Sequence, residues 1–447
     1  MRAKRTRRRF FHRQSFHFTL CHSLMSSNDG YESYDAYGFP TEQDYVPSSH
    51  VAPLGKHQER WARFWWGETS GGRTSLPESV RRSARLRALV FSGVPVAFRG
   101  VVWCELLGVS AIRRQHPEAY FQSLHSEAAG GDEPDHGAAT QVAKDVDRTW
   151  PQHRWLNRGA LHRVLVAYAR RNQDVGYCQG LNSVVGTLLL FMGEEDAFWC
   201  LTQLVEARLA RGFWSSTLWR CRAEQEVLKA LLARREPTIC RQLEAARIAL
   251  ELYSTGWWLT LFVSDLPLET ALRVWEVLML ADGDAGTSAD DGAVRINVMD
   301  VLLAASMALL AMRRTELRRG GAVEMSMAMR EGPRSLQPDT AAGRAFLARF
   351  RSELVWLQQV VPTALLRRHA IAKVQRRLAL VQRVREGKAT TAELHADASM
   401  HETVAIGEVT WMLYSVARRM RSIPIPRMKK HLSSQLVQGG DIELSRG

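Results

Sequence analysis

Cysteine is scarce in this sequence, and long apolar runs are missing. Six cysteines are scattered through 447 residues (Cys21, Cys104, Cys178, Cys200, Cys221 and Cys240). No two form a C-x-x-C pair, so the spacing that marks a zinc site is absent and no metal is expected. No secretory signal is recognised, and a reducing compartment is the expectation. The longest apolar stretches, "SVVGTLLLFMG" and "VLLAASMALLAM", are 11 and 12 residues long. A membrane-spanning helix needs roughly 20, so both read as buried helices. Strand-type alternation, a 34-residue repeat, a P-loop, a G-x-G-x-x-G turn, a nucleophile elbow and an H-E-x-x-H pair are also missing.

Acid is missing from the first 25 residues, which carry Arg2, Lys4, Arg5, Arg7, Arg8, Arg9 and Arg13. Half of the net charge of +14 therefore sits in this arm. The rest of the chain is only mildly basic, which is weak support for a nucleic-acid-binding fold, and none is expected. The arm itself reads in three ways: a transit peptide, a nuclear-import or phosphate-binding tract, or a disordered extension ahead of Met25.

What is present is a globular composition, 46% hydrophobic and 24% charged, enough for a sizeable core. Residues 26–60 read as an irregular lead-in, followed by the aromatic cluster "RWARFWWG", which is expected to cover a core. From Ser79 the apolar period becomes helical. In "RGALHRVLVAYARRN", Leu161, Val164, Leu165 and Tyr168 fall at i, i+3, i+4 and i+7, one face of a helix. "GLNSVVGTLLLFMG" is apolar all round and reads as a central buried helix. "EDAFWCLTQLVEARL" and "CRAEQEVLKALLARREP" continue the pattern. "CRQLEAARIALELYSTGWWLTLFVSDLP" does too, stopped by Pro267. Residues 126–140 and 282–293 read as Gly- and acid-rich loops, and the second lacks the ligand order of an EF-hand. Residues 320–343 read as a loop, and 344–386 as helical with Arg-rich faces. The expected fold is all-α.

Three short motifs follow one another. "GVPVAFRGVVW" holds Arg99 and Trp103 four apart. "VAKDVDRT" holds Val142, Asp145, Arg148 and Thr149. "VGYCQGLN" holds Tyr177, Gln179 and Gly180. A later stretch, "GWWLTLFVSDLPLETALRVWEVLML", holds Trp258, Leu266, Pro267, Arg273 and Trp275. In order and separation these resemble the TBC domain family of Rab GTPase-activating proteins, with R-x-x-x-W, I-x-x-D-x-x-R-T and Y-x-Q-G motifs. Val142 stands where the family has isoleucine, and Glu276 where it has aspartate. The likeness covers about residues 79–315.

The resemblance implies a single large helical domain of two lobes. Residues 1–30 would be a disordered basic arm, 31–78 the lead-in, 79–315 the core, 316–386 helices completing it and 387–447 a helical or flexible tail. It implies a protein that accelerates GTP hydrolysis by a Rab-type small GTPase in its GTP form, and with it a place in vesicle trafficking. Arg148 would be an arginine finger and Gln179 a glutamine finger. Asp145, Thr149, Tyr177, Gly180, Arg99 and Trp103 would support them. No cofactor is expected, since GTP and Mg²⁺ belong to the partner. The placement implied is cytoplasmic, with peripheral attachment to endomembranes through partners or the basic arm. The alternative is a catalytically silent Rab-binding scaffold.

The chemistry suits these residue types. GTP hydrolysis builds negative charge on phosphoryl oxygens, and a planar, permanently charged guanidinium meets it with two hydrogen bonds. The attacking water needs a group that both donates and accepts, which a carboxamide does. Asp145 lies one helical turn before Arg148 and is placed to hold the guanidinium. Gly176 and Gly180 would let the backbone turn and approach the GTPase. Plainer roles remain open. Arg148 could be an ordinary helix-end arginine, and Gln179 could cap a helix. Tyr177 and Cys178 could simply pack, Trp103 could fill core, and Arg99 could pair with an acid.

Overall fold

The computed structural model describes residues 33–34, 37, 40–41, 54–69, 76–81, 83–125, 136–283, 296–360 and 363–393. The basic arm, residues 126–135, nearly all of the acidic loop and the tail beyond 393 lie outside them. The described chain is all-α, as expected. It groups into two compact units, one reaching Trp356 and the other beginning at Leu357.

Nineteen α-helices occur among the described residues. The first nine are α1 (Leu54–Glu68), α2 (Glu78–Arg81), α3 (Ala84–Ser92), α4 (Val96–Leu107), α5 (Val109–Gln115), α6 (Ala119–His125), α7 (His136–Arg148), α8 (Arg158–Arg171) and α9 (Leu181–Leu189). Then come α10 (Glu194–Gln203), α11 (Trp219–Arg235), α12 (Pro237–Ala245), α13 (Glu251–Leu259), α14 (Leu268–Leu280) and α15 (Val298–Met312). The last four are α16 (Arg314–Arg319), α17 (Ala322–Arg330), α18 (Ala341–Val360) and α19 (Thr363–Arg385). Extended pairing among the described residues is confined to Ser33–Tyr34 with Pro40–Thr41 and a bridge between Asp282 and Asn297.

Local chemistry sets many boundaries. Ser83, Asn157 and Asn297 each stand just before a helix and accept a first-turn N–H, those of Leu86, Ala160 and Met299, which satisfies a donor the helix cannot. Three acids, Glu194, Glu195 and Asp196, open α10 at its positive end. Gly108 closes α4 in the left-handed conformation.

Burial then assembles the first unit. Helix α8 packs against α6, α7, α9 and α10, with Leu161, Val164, Leu165 and Tyr168 all buried on one stripe. In α9 every residue from Leu181 to Leu188 is buried, and in α15 every residue from Val298 to Leu310. Helix α14 packs against α3, α4 and α15. The second unit contains α19, with Leu366 and Ala370 buried near its start and arginines exposed towards its end.

Three expectations need correction. The lead-in is not irregular throughout: α1 occupies 54–68, because Trp61, Phe64 and Trp65 fall at i, i+3 and i+4 and are buried together. Residues 320–343 are a loop only in part, since α17 occupies Ala322–Arg330. Met, Ala and Glu sustain α17, and the Glu324 carboxylate accepts the Gly321 N–H at 2.9 Å to start it. Finally, the helix expected through 240–266 breaks twice, at left-handed Arg247 and at left-handed Leu261 and Phe262. No glycine or proline marks either break. Burial of Leu261 and Phe262, both fully inaccessible, outweighs local preference there.

Arg99 is buried in α4 and fastens that helix to α14. Its guanidinium donates to Glu269 at 2.6 and 2.8 Å and to Glu276 at 3.2 Å, and it also bonds the Tyr37 hydroxyl at 2.8 Å. Arg273 reaches Glu276 from the same helix at 3.0 Å. Trp103, one turn on, packs edge-on to Phe191 with centroids 5.0 Å apart and lies 5.8 Å from Trp275.

The connection from α7 to α8 is fixed by main-chain bonds to side chains. Arg158 donates to the carbonyls of Val146 (2.7 Å), Thr149 (3.0 Å) and Trp150 (3.0 Å). Buried His153 accepts the N–H groups of Trp155 (3.1 Å) and Leu156 (2.9 Å) on Nδ1, so that nitrogen carries no proton. Trp150 is left-handed, φ +42°. Its ring lies 3.2 Å from where a Cβ on Gly186 would stand.

Two tests follow from this packing. Arg99→Met takes from Glu269 its paired cation and leaves Glu276 with Arg273 alone, and should lower stability by about 3–5 kcal/mol; a urea midpoint matching the unsubstituted chain's would contradict that. For His153, burial, aided by the Arg158 cation, lowers the pKa from 6.5 to about 4. A depressed folded-state pKa means the stabilisation is complete above pH 6.5 and is lost as pH falls from there to about 4. At about 1.4 kcal/mol per pH unit it amounts to about 3 kcal/mol. His153→Asn keeps an acceptor that cannot protonate, so it should flatten that part of the stability profile. An unchanged profile in the variant would refute the assignment.

Candidate functional site

The site begins with a carboxylate that sequence alone does not mark as buried. Asp145 is fully inaccessible although three residues away the helix faces solvent. Val142 and Val146, also buried, show that this side of α7 lies against the core. Each Asp145 oxygen is engaged. Oδ1 takes Arg148 at 2.7 Å and the Gln141 amide at 2.9 Å, and Oδ2 takes the Tyr177 hydroxyl at 2.6 Å. A buried carboxylate needs this many donors to offset lost hydration.

Arg148 is the last residue of α7, and its side chain is 53% exposed. A helix-end arginine commonly caps the last carbonyls. Here Arg158 does that, bonding Val146, Thr149 and Trp150 from outside the helix. Arg148 instead lies against Asp145. The guanidinium end of the pair is open to water although the carboxylate is buried, so solvent can take up Arg148 when it leaves for another anion. If Arg148 leaves, Gln141 and Tyr177 still hold the carboxylate.

The second half of the site is the turn between α8 and α9. Asn172 ends α8, and its carbonyl and Oδ1 accept the N–H groups of Gly176 (2.7 Å) and Val175 (3.2 Å). Gly176 is left-handed, φ +57°, with open space where a Cβ would stand. Gly180 has φ +111°, and a Cβ there would lie 2.6 Å from the Leu259 carbonyl oxygen. The close approach at Gly180 is thus to the end of α13, within the chain itself. That same carbonyl accepts the Trp214 indole N–H at 3.2 Å. Gln179 is exposed between these features. It does not cap α9, whose N-terminus has no side-chain cap.

Titration supports fixed rather than reactive roles for its neighbours. Burial, with the hydrogen bond to Asp145, raises the Tyr177 hydroxyl well above its ordinary pKa, so it stays a donor. Burial pushes the Cys178 thiol up to about 11, leaving it protonated and unreactive near neutrality.

The structure brings Asp145, Arg148, Thr149, Tyr177 and Gly180 into one hydrogen-bonded assembly, with Gln179 on its exposed turn. Arg99 and Trp103 belong elsewhere, to the packing of α4 on α14. Four contributors escaped sequence reasoning: Gln141, His153, Arg158 and Asn182. Gln141 sits one helical turn before Asp145 and could have been found by that spacing. Asn182, polar inside an apolar helix, also left a signal. His153 and Arg158 act on backbone groups, which no side-chain pattern announces. Among the described residues no cluster of His, Cys, Asp or Glu could hold a metal ion, and no helix is long and apolar enough to cross a membrane.

Comparison with known proteins agrees with this architecture. The family model for the Rab-GTPase-TBC domain matches residues 97–317. Human growth hormone-regulated TBC protein 1 is 32% identical over 259 residues, covering 55% of this chain and 72% of that protein. TBC1 domain family member 2B of Xenopus tropicalis is 33% identical over 205 residues, 44% of this chain but only 21% of that longer protein. The Chlamydomonas flagellar RabGAP TBC domain superposes over 72% of this chain and 99% of its own, at 26% identity and a TM-score of 0.54. The Ypt/Rab-GAP domain of Gyp1p, at 15% identity and a TM-score of 0.52, shares the fold. The chain belongs to the Rab-GTPase-TBC domain family.

Proposed function

We propose that this chain accelerates GTP hydrolysis by a Rab-type small GTPase and that it supplies both Arg148 and Gln179 to the partner's active site. One observation carries the reading. Two exposed polar side chains, a guanidinium and a carboxamide, flank a single buried carboxylate that both of their segments bind: Arg148 directly and the Gln179 turn through Tyr177. A hydrolytic transition state on a bound nucleotide needs a cation on the phosphoryl oxygens and a group that orients water. Electrostatic help of this kind works best when the donors are aimed before charge develops. The shared carboxylate provides that aim, and the exposed guanidinium lets Arg148 transfer. GTP and Mg²⁺ are the partner's, and the GTP-bound form is the one engaged. The scaffold alternative uses neither exposed group, and no feature of the structure favours it.

The test is single-turnover GTP hydrolysis by a panel of Rab-type GTPases with and without the chain. Arg148→Ala should remove the acceleration, a loss of about 10³–10⁵ for a finger supplied in trans. Arg148→Lys should recover little, because an ammonium lacks the bidentate fork. Gln179→Ala should slow hydrolysis while leaving GTPase binding largely intact. Full acceleration by Arg148→Ala would exclude the finger role, and binding without acceleration by the unsubstituted chain would favour the scaffold.

A further inference from the structure

We infer that Asn182 is a positioning residue that sets where Gln179 stands relative to Arg148; this rests on the two-finger reading above. Asn182 lies in the first turn of α9 and is 8% exposed. Its Oδ1 accepts the N–H of Gly180, the residue directly after Gln179, at 3.0 Å. Its Nδ2 donates at 2.8 Å to the hydroxyl of Thr149, the residue directly after Arg148. One side chain therefore ties together the two residues that follow the two fingers.

The bonding leaves this carboxamide one orientation. The Thr149 hydroxyl gives its only proton to the Asp145 carbonyl, at 2.5 Å. It can take Asn182 only as an acceptor, so Nδ2 must face it. A backbone N–H can only donate, so Oδ1 must face Gly180. A carboxylate at 182 could satisfy Gly180 but could hold Thr149 only by taking the proton that Thr149 now gives to Asp145. Leucine, similar in size, could satisfy neither. The link is separate from the Tyr177–Asp145 bond, which fixes the turn on the other side of Gln179. The two ties bracket the glutamine at 177 and 180.

The test uses the full chain, with the GTPase on which it proves active, and measures kcat and KM for GTPase activation. Asn182→Asp should lower kcat by about 10²-fold, the scale of a displacement near 1 Å in a reacting group. KM should move by less than about twofold, since the contact surface is unaltered. Thr149→Val should act in the same direction, and Thr149→Ser, which keeps the hydroxyl, should recover most of that loss. In a Gln179→Ala background, Asn182→Asp should cost almost nothing more, because there is no glutamine left to place. Hydrogen exchange at the Gly180 amide gives a readout independent of hydrolysis: Asn182→Leu should speed it in a chain whose circular dichroism is unchanged. Full kcat in Asn182→Asp, a loss confined to KM, an equal loss in the Gln179→Ala background, or unchanged exchange at Gly180 would each overturn the inference. A chain that accelerates no GTPase would instead overturn the reading beneath it.

Discussion

The buried carboxylate of Asp145 is the constraint on which the site depends. A carboxylate removed from water must be surrounded by donors or protonated. The donors here come from two segments, Gln141 and Arg148 on α7 and Tyr177 on the turn before α9. Satisfying one charge thus draws two loops together, and the groups left over on their outer side, the Arg148 guanidinium and the Gln179 carboxamide, face solvent. The exposed face is a by-product of how the interior solves its own electrostatic problem. This is why an acid one turn before the arginine matters: one or two residues apart, the two would not share a face.

Support for that arrangement comes mostly from main-chain bonding. Arg158 takes up the Val146 carbonyl at the end of α7 and those of Thr149 and Trp150 just beyond it, and His153 takes up two N–H groups of the following turn. Trp150 accepts a left-handed backbone so that its ring can lie against Gly186 of α9. Each device fixes the end of α7 without engaging Arg148. A loop that carries a functional side chain has to be held by something other than that side chain, and this connection meets the requirement with three separate anchors.

The sequence made the fold class legible because its helices repeat an apolar period that burial then confirms, as at Leu161, Val164, Leu165 and Tyr168. It made the site's outline legible through Asp145–Arg148 and Tyr177–Gly180, because their order and separation resemble the TBC family's motifs; either motif alone would have passed for an ordinary helix end or turn. Errors arose where tertiary contacts outweighed local preference. Leu261 and Phe262 take left-handed backbones with no glycine to announce them, because their side chains find the core only that way. Residues 322–330 form a helix without an evident period because Met325 and Met329 alone supply its buried face. The role of Gly180 was misjudged for a related reason. Its small size is visible in the sequence, but the neighbour that requires it, the Leu259 carbonyl, lies about 80 residues further along the chain.

The contrast between Arg99 and Arg148 shows why only one of two motif arginines can act on a partner. Both face carboxylates at hydrogen-bond distance. Arg99 is 1% exposed and engages two of them, Glu269 and Glu276, one of which is fully buried. Withdrawing it would strand charge in the interior, at a cost of about 3–5 kcal/mol. Arg148 is half exposed, and its carboxylate keeps two neutral donors when the cation departs. Its release leaves the carboxylate with those two donors and returns the guanidinium to water, and it is offset by a rate effect of 10³–10⁵, roughly 4–7 kcal/mol. A cation that must leave its resting partner for a transient charge has to be held loosely enough to go and firmly enough to stay aimed. Solvent exposure of the guanidinium sets the first condition, and burial of the carboxylate sets the second.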